Sequence, residues 1–192
     1  MNLPRIGPQI PVCDLKDCRI AIIGEAPGRD EVPAGIPFVG RAGKLLDEML
    51  AAAGIVREKC YITNVFLLRP PENKVAHFFC SRMAAKLKEV EICEDLPPYT
   101  AGYLRKEFLP EMVRLADEMD MVKPQVAILL GATALWAFTG AKGIMAERGQ
   151  VYESSLVPNV VPTYHPAYIL RNGNEKGTMI KDLRLARSLL GD

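Results

Sequence analysis

An α/β fold, in which a central and mostly parallel four-stranded sheet lies between two helical layers, is what this sequence predicts. Three observations carry that prediction. Short apolar runs alternate along the chain with stretches of helical periodicity, the pattern of parallel strands joined by crossover helices. The runs stop at glycine, proline or a polar residue rather than fading out. The polar residues that stand out, Glu25, Asn64 and His165, all fall at or just beyond predicted strand ends, the edge where open α/β sheets bind ligands. A length of 192 residues suits one domain, 1–192, with a helical insertion at about 75–123.

The elements follow in order. Residues 1–17, rich in proline and polar groups, read as an irregular lead-in, and 19–23 as a buried strand. That strand stops in Gly24-Glu25-Ala26-Pro27-Gly28, where glycine and proline let the backbone turn sharply beside a carboxylate. Pro37-Phe38-Val39-Gly40-Arg41-Ala42-Gly43 then delivers an aromatic ring just before a glycine-opened helix. Leu45, Leu46, Met49 and Leu50 recur at helical spacing to Gly54, a natural stop. A carboxylate, an aromatic platform and a helix N-terminus point to a planar, phosphate-bearing ligand. The plainer alternative is a common turn with a solvated Glu25 and a core Phe38.

A β-branched and aromatic run, 60–66, is the second strand, and the prolines of 67–74 make a loop. Asn64 inside that strand needs a hydrogen-bond partner; it either ties down a neighbouring loop or reads a base edge. Over 75–123 the spacing predicts helices, with one stripe through Phe79, Met83, Leu87 and Val90. A second stripe runs through Leu104, Phe108, Met112, Leu115 and Met119, with Pro110 a kink or restart. Residues 125–130 form the third strand, and Gly131-Ala132-Thr133 opens a short helix. The last strand, 160–163, delivers Tyr164-His165-Pro166-Ala167-Tyr168, and a helix over 178–190 follows.

Composition narrows the classes of function. With 24 Lys+Arg against 23 Asp+Glu, net charge advertises no nucleic acid, so such a partner would need a local basic face. No apolar run approaches the roughly 18 residues that span a membrane, and no leader is read ahead of the first strand. Five cysteines, Cys13, Cys18, Cys60, Cys80 and Cys93, are an odd number and argue for reduced thiols in a cytoplasm.

Five motifs in register resemble family 4 uracil-DNA glycosylases. They are Gly24-Glu25-Ala26-Pro27-Gly28, Pro37 to Gly43, Ile62-Thr63-Asn64-Val65, Arg69-Pro70-Pro71-Glu72-Asn73 and Tyr164 to Arg171. The resemblance covers 19–74 and 124–190. It implies a base-excision repair enzyme that hydrolyses the N-glycosidic bond of uracil in single- or double-stranded DNA. It also implies a monomer, working in the cytoplasm of a prokaryotic or virus-infected prokaryotic cell.

The resemblance assigns roles as well. Ala26, Glu31, Phe38 and Asn64 would bind the substrate: Phe38 stacks on a flipped uracil, Asn64 bonds O4 and N3–H and so rejects cytosine, and Glu31 crowds C5 against thymine. Glu25, Asn73 and His165 would be catalytic. His165 bonds O2 and stabilises the departing base, Glu25 acts on the sugar or the water, and Asn73 organises either one. Arg41, Lys44, Arg69 and Arg171 would meet phosphates, and the 166–171 loop, from Pro166 through Leu170 to Arg171, would wedge into the duplex.

Two departures from the family pattern matter. Most family 4 members hold a 4Fe–4S cluster on four cysteines, one of them just before the Arg-Pro-Pro loop; here that residue is Leu68, and Cys13 and Cys18 stand too close to Glu25 to be the upstream pair. No cluster and no catalytic metal are therefore expected. The second departure is 75–123, longer than the family usually has, which reads as an insertion taking over the cluster's structural task; a lesser change is Val32 in place of an acidic residue after Glu31. Three alternatives accompany the leading reading: a glycosylase for another damaged or modified base, a catalytically silent DNA-binding member of the same superfamily, and a small-nucleotide hydrolase.

Overall fold

The computed structural model describes residues 3–100 and 102–191. In chain order the elements are β1 (Ile20–Gly24), α1 (Glu31–Ala34), α2 (Arg41–Ala53), β2 (Tyr61–Asn64), β3 (Phe79–Cys80), α3 (Arg82–Lys88) and β4 (Tyr103–Leu104). Then come α4 (Leu109–Val122), β5 (Val126–Leu130), α5 (Ala132–Thr139), α6 (Ile144–Glu147), β6 (Asn159–Thr163), α7 (Pro166–Arg171) and α8 (Lys176–Ser188).

The main sheet has the order β2-β1-β5-β6, and every neighbouring pair is parallel. Both of its faces are covered, which is why its strands read as continuous apolar runs. Alternation along each strand sorts side chains to two cores. Ile20, Ile22, Ile62, Val126, Ile128 and Val161 meet α2, α7 and α8 through Leu46, Leu50, Ile169, Met179 and Leu183. Ala21, Ile23, Tyr61, Ala127, Leu129 and Val160 meet α4 and α5 through Leu115, Met119, Val122, Ala134 and Trp136. The result is the three-layer αβα arrangement. Among the described residues no helix is long and apolar enough to cross a membrane.

The chain leaves β1 towards β2 on one side and returns to β5 on the other. Loops after β1 and β5 therefore diverge, and a crevice opens at the carboxyl edge between them.

Three expectations are corrected. The lead-in is not wholly irregular: Ile6 N–H donates to Leu67 O, and Gln9 and Ile62 exchange backbone bonds, so it covers the outer edge of β2, an edge that would otherwise stand unpaired. The segment 75–123 is not made of helices alone. It holds the antiparallel pair β3–β4 around one short helix, α3, and ends in α4. The stripe through Met83 and Leu87 faces solvent, at 75% and 78% exposure, whereas α4 is one of the main layer helices, with Pro110 in its first turn. Helical spacing alone cannot say which side a stripe faces, and here the two stripes face opposite ways. Finally, 166–171 is a helix rather than a loop.

Candidate active site

The carboxyl edge of the sheet carries a cavity of about 480 Å³. Of the residues singled out from sequence, Glu25, Ala26, Glu31, Phe38, Asn64, Asn73, His165 and Arg171 line it. Arg41 and Lys44 lie exposed on the first turn of α2, beside the cavity-lining Ala42. Arg69 stands behind Asn73, its Nε donating to Oδ1 at 2.9 Å. Leu170 is 41% exposed towards the end of α7. Pro166, expected on the DNA-facing surface, is instead buried at the start of that helix, because its fixed φ and missing N–H suit a first helical turn.

Asn64 ends β2 directly beside Gly24 of β1. Its side chain is 2% exposed, and Nδ2 meets no protein partner among the described residues. A buried amide donor without a partner is costly, and this one borders a cavity. Gly24 is needed for that approach: a Cβ there would lie 2.1 Å from Asn64 Oδ1 and 2.6 Å from the Phe38 ring. The strand end itself is clamped from α4. Arg114 Nη2 donates to the carbonyls of Asn64 (2.8 Å) and Val65 (2.7 Å). The same guanidinium pairs with Glu118 at 2.7 Å and Glu111 at 3.3 Å, and Glu111 also accepts the Leu67 N–H at 2.8 Å.

Phe38 is buried and adopts a φ of 58°, a left-handed backbone that a bulky residue holds only when its surroundings impose it. They do so here. Glu31 accepts the N–H of Phe38 on one oxygen (2.6 Å) and that of Gly28 on the other (2.7 Å). Arg57 donates to the carbonyls of Pro37 (3.0 Å) and Phe38 (3.2 Å), and the Phe38 carbonyl sits where a Cβ on Gly43 would be, 1.7 Å away. Burial pushes the Glu31 carboxyl up from its ordinary value, and the two amide donors pull it back.

His165 caps α7, its Nδ1 accepting the Ala167 N–H at 3.1 Å. That bond leaves the proton of the neutral ring on Nε2. Burial, helped by the Arg171 charge, brings its pKa down to about 4, so at neutral pH the ring is an uncharged donor. Phe38 and His165 face each other with ring centroids 5.8 Å apart. Burial pushes Glu25 upward, against the lowering effect of the Thr133 hydroxyl that it accepts at 2.5 Å.

Sequence reasoning did not single out Thr133, Arg57 or Arg114. Thr133 follows β5 as Glu25 follows β1, and the strand-end rule that found Glu25 would have found it. Arg57 and Arg114 act through backbone carbonyls, which leaves no motif to read.

The cysteines do not fit a four-thiolate cluster. Cys18 donates to Ile20 O at 3.3 Å and Cys60 to Val56 O at 3.4 Å. Burial drives the Cys60 thiol up to about 12, the reverse of what a thiolate ligand needs. Cys80 lies in β3, half-buried like Cys93, and Leu68 packs against the core on the α4 side. Among the described residues no three His, Cys, Asp or Glu side chains gather as a metal-binding group.

Comparison with known proteins adds an independent line. The model of the uracil DNA glycosylase superfamily matches residues 10–185. A type-4 uracil-DNA glycosylase of Thermotoga maritima is 35% identical over 178 residues, covering 91% of this chain and 79% of the relative. Its counterpart in Archaeoglobus fulgidus is 34% identical, covering 84% of this chain and 71% of the relative. That of Pyrobaculum aerophilum is 33% identical, covering 86% and 75%.

Proposed function

The chain belongs to the uracil DNA glycosylase superfamily, beside its type-4 members, and we propose from that premise how its crevice works. It is a DNA-repair hydrolase that cleaves the N-glycosidic bond of uracil and leaves an abasic site. The carrying observation is the convergence of a buried Asn64, whose Nδ2 has no partner among the described residues, with Glu25 and a neutral His165 around one cavity beside Phe38.

The chemistry follows from those groups. Uracil offers O4 as acceptor and N3–H as donor, which matches Nδ2 and Oδ1 of one amide; cytosine presents a donor where Asn64 needs an acceptor. The base is flipped out of the strand, stacks on Phe38, and has its C5 edge towards Glu31 and Ala26. As the C1′–N1 bond breaks, the electron pair stays on the base and negative charge grows on O2. The His165 Nε2–H meets that charge without a prior proton transfer, a contribution of about 3 kcal/mol for one such donor. The sugar left behind is electron-poor at C1′, where Glu25 supplies the opposing charge; water adds there, and the proton it sheds neutralises the departed uracil anion through solvent. Asn73 helps orient that water or the sugar. Arg41, Lys44, Arg69 and Arg171 meet phosphates of single- or double-stranded DNA, and Leu170 with Arg171 enters the space the base vacates. Every step uses the chain's own groups and water, and none runs through an iron–sulfur cluster.

The test is uracil release from a U·G duplex and from a single-stranded U oligonucleotide, with EDTA present. Wild type is expected to release uracil from at least one substrate, and Asn64→Ala and His165→Ala to lose about a hundredfold or more. Release undiminished in both variants, or no release by wild type, overturns the reading.

A further inference from the structure

The Glu25 carboxylate is not held alone. Its Oε2 accepts the hydroxyl of Thr133, which is fully buried in the first turn of α5. Thr133 Oγ1 in turn lies 3.1 Å from the hydroxyl of Tyr99. A hydroxyl has one proton to give, and an ionised carboxylate only accepts. When Glu25 is ionised, Thr133 spends its one proton on Glu25, and Tyr99 then donates to Thr133.

Tyr99 comes from the stretch between α3 and β4. It is firmly placed there. Its ring packs 4.7 Å from Phe79 and 5.8 Å from Trp136, centroid to centroid, and Trp136 Nε1 donates to the Pro97 carbonyl at 2.8 Å. Tyr99 does not border the cavity, so whatever it does at the site passes through Thr133.

The geometry points to Tyr99 and Thr133 as a two-hydroxyl relay that keeps the Glu25 carboxylate ionised and aimed at the sugar. This rests on the glycosylase reading given above. The need for such a device is plain: burial works against the charge on Glu25. The other titratable groups around the cavity are Glu31, whose carboxylate would repel that charge, His165, which is neutral, Arg171 and Tyr168. Burial pushes the Tyr99 hydroxyl up, the hydrogen bond with Thr133 works against it and the Glu25 charge adds to the rise; the net upward shift keeps it a donor at working pH. Hydrogen bonds in a row polarise one another, so the outer hydroxyl strengthens the inner one. Tyr99 is thus a positioning residue, and the stretch between α3 and β4 contributes to the chemistry through it.

Tyr99→Phe removes one oxygen and keeps the ring packing. In protein carrying ¹³C-labelled glutamate, the Glu25 carboxyl resonance, identified by its loss in Glu25→Gln, is followed against pH. The expected result is a Glu25 midpoint higher by about half to one pH unit in Tyr99→Phe. It should move further in Thr133→Val and stay near wild type in Thr133→Ser. The acid limb of kcat for uracil release is expected to move upward with it, at unchanged KM. An unchanged Glu25 midpoint in Tyr99→Phe, at an unchanged unfolding midpoint, overturns the relay. A raised midpoint in a protein that releases no uracil upholds the relay and overturns the glycosylase reading instead.

Discussion

The two walls of the crevice are built on opposite principles. The wall formed by the Gly28–Phe38 loop and the end of β2 is pinned by charged side chains bonding to backbone: Glu31 to two N–H groups, Arg57 to two carbonyls, Arg114 to two more. The wall formed by α7 is a helix of six residues with His165 as its cap, and beyond it Leu170 and Arg171 lie exposed. Reading a base edge needs donors fixed to within a fraction of an ångström, and the first wall is over-determined to that end. Entering a duplex needs apolar and cationic groups that are free to meet the strand, and the second wall leaves them free.

The sharpest way to break this contrast is at Arg114. Arg114→Met leaves Glu118 buried without its cation, while Glu111 keeps Arg5 at 2.5 Å, a change that costs about 3–5 kcal/mol. A lower urea midpoint would register it. Uracil release per folded molecule is expected to fall as well, because the carbonyl of Asn64 loses its clamp. A folded variant with full activity would show that the clamp serves stability alone.

Glu31→Gln addresses the loop. One amide oxygen replaces two charged acceptors, and about 1.5–3 kcal/mol of support for the Phe38 backbone is lost. The expected outcome is a drop in kcat/KM of about tenfold to a hundredfold, with KM and kcat both affected and the fold retained. Unchanged kinetics would mean that Arg57 alone suffices to hold the left-handed turn.

The first wall also shows where sequence reading stops. Glu25, Asn64 and His165 were legible because strand ends in a parallel sheet are where side chains converge, and strand ends can be found from apolar runs. Phe38 was legible from its place before a glycine-opened helix. The clamps were not, because Arg57 and Arg114 bond to carbonyls, and any position on a helix face is a candidate for that. Helical periodicity found α4 but also placed Met83 and Leu87 in a stripe that turns out to face solvent. Periodicity reports a shared face; what lies opposite that face is decided by the tertiary fold.

The second wall carries the pH signature. His165 has a folded pKa of about 4, below its ordinary value of 6.5. Between those values the unfolded chain binds the proton and the folded one does not, so stability falls as pH drops from about 6.5 towards 4. Glu25 and Glu31, raised by burial, act in the opposite sense above their ordinary value of 4.5. The informative quantity is therefore the difference between wild type and His165→Gln. At pH 5 the variant is expected to be spared on the order of 1 kcal/mol of this acid loss, screening included. Parallel stability curves would mean that the ring keeps its ordinary pKa in the fold, so that below about pH 6.5 it would meet O2 charged rather than as the neutral donor of the mechanism.

The smallest expected effect is at the exposed end of α7. Leu170→Ala removes a side chain that is 41% exposed and half free of the core, so stability should barely change. On a U·G duplex the variant gives up roughly 1 kcal/mol of the few that unstacking a base step costs, a several-fold lower rate of release. On a single-stranded oligonucleotide there is no neighbouring pair to hold apart, and the rate should match wild type. Equal losses on both substrates would place Leu170 with the base-reading wall, and the division of labour between the two walls would fail at that residue.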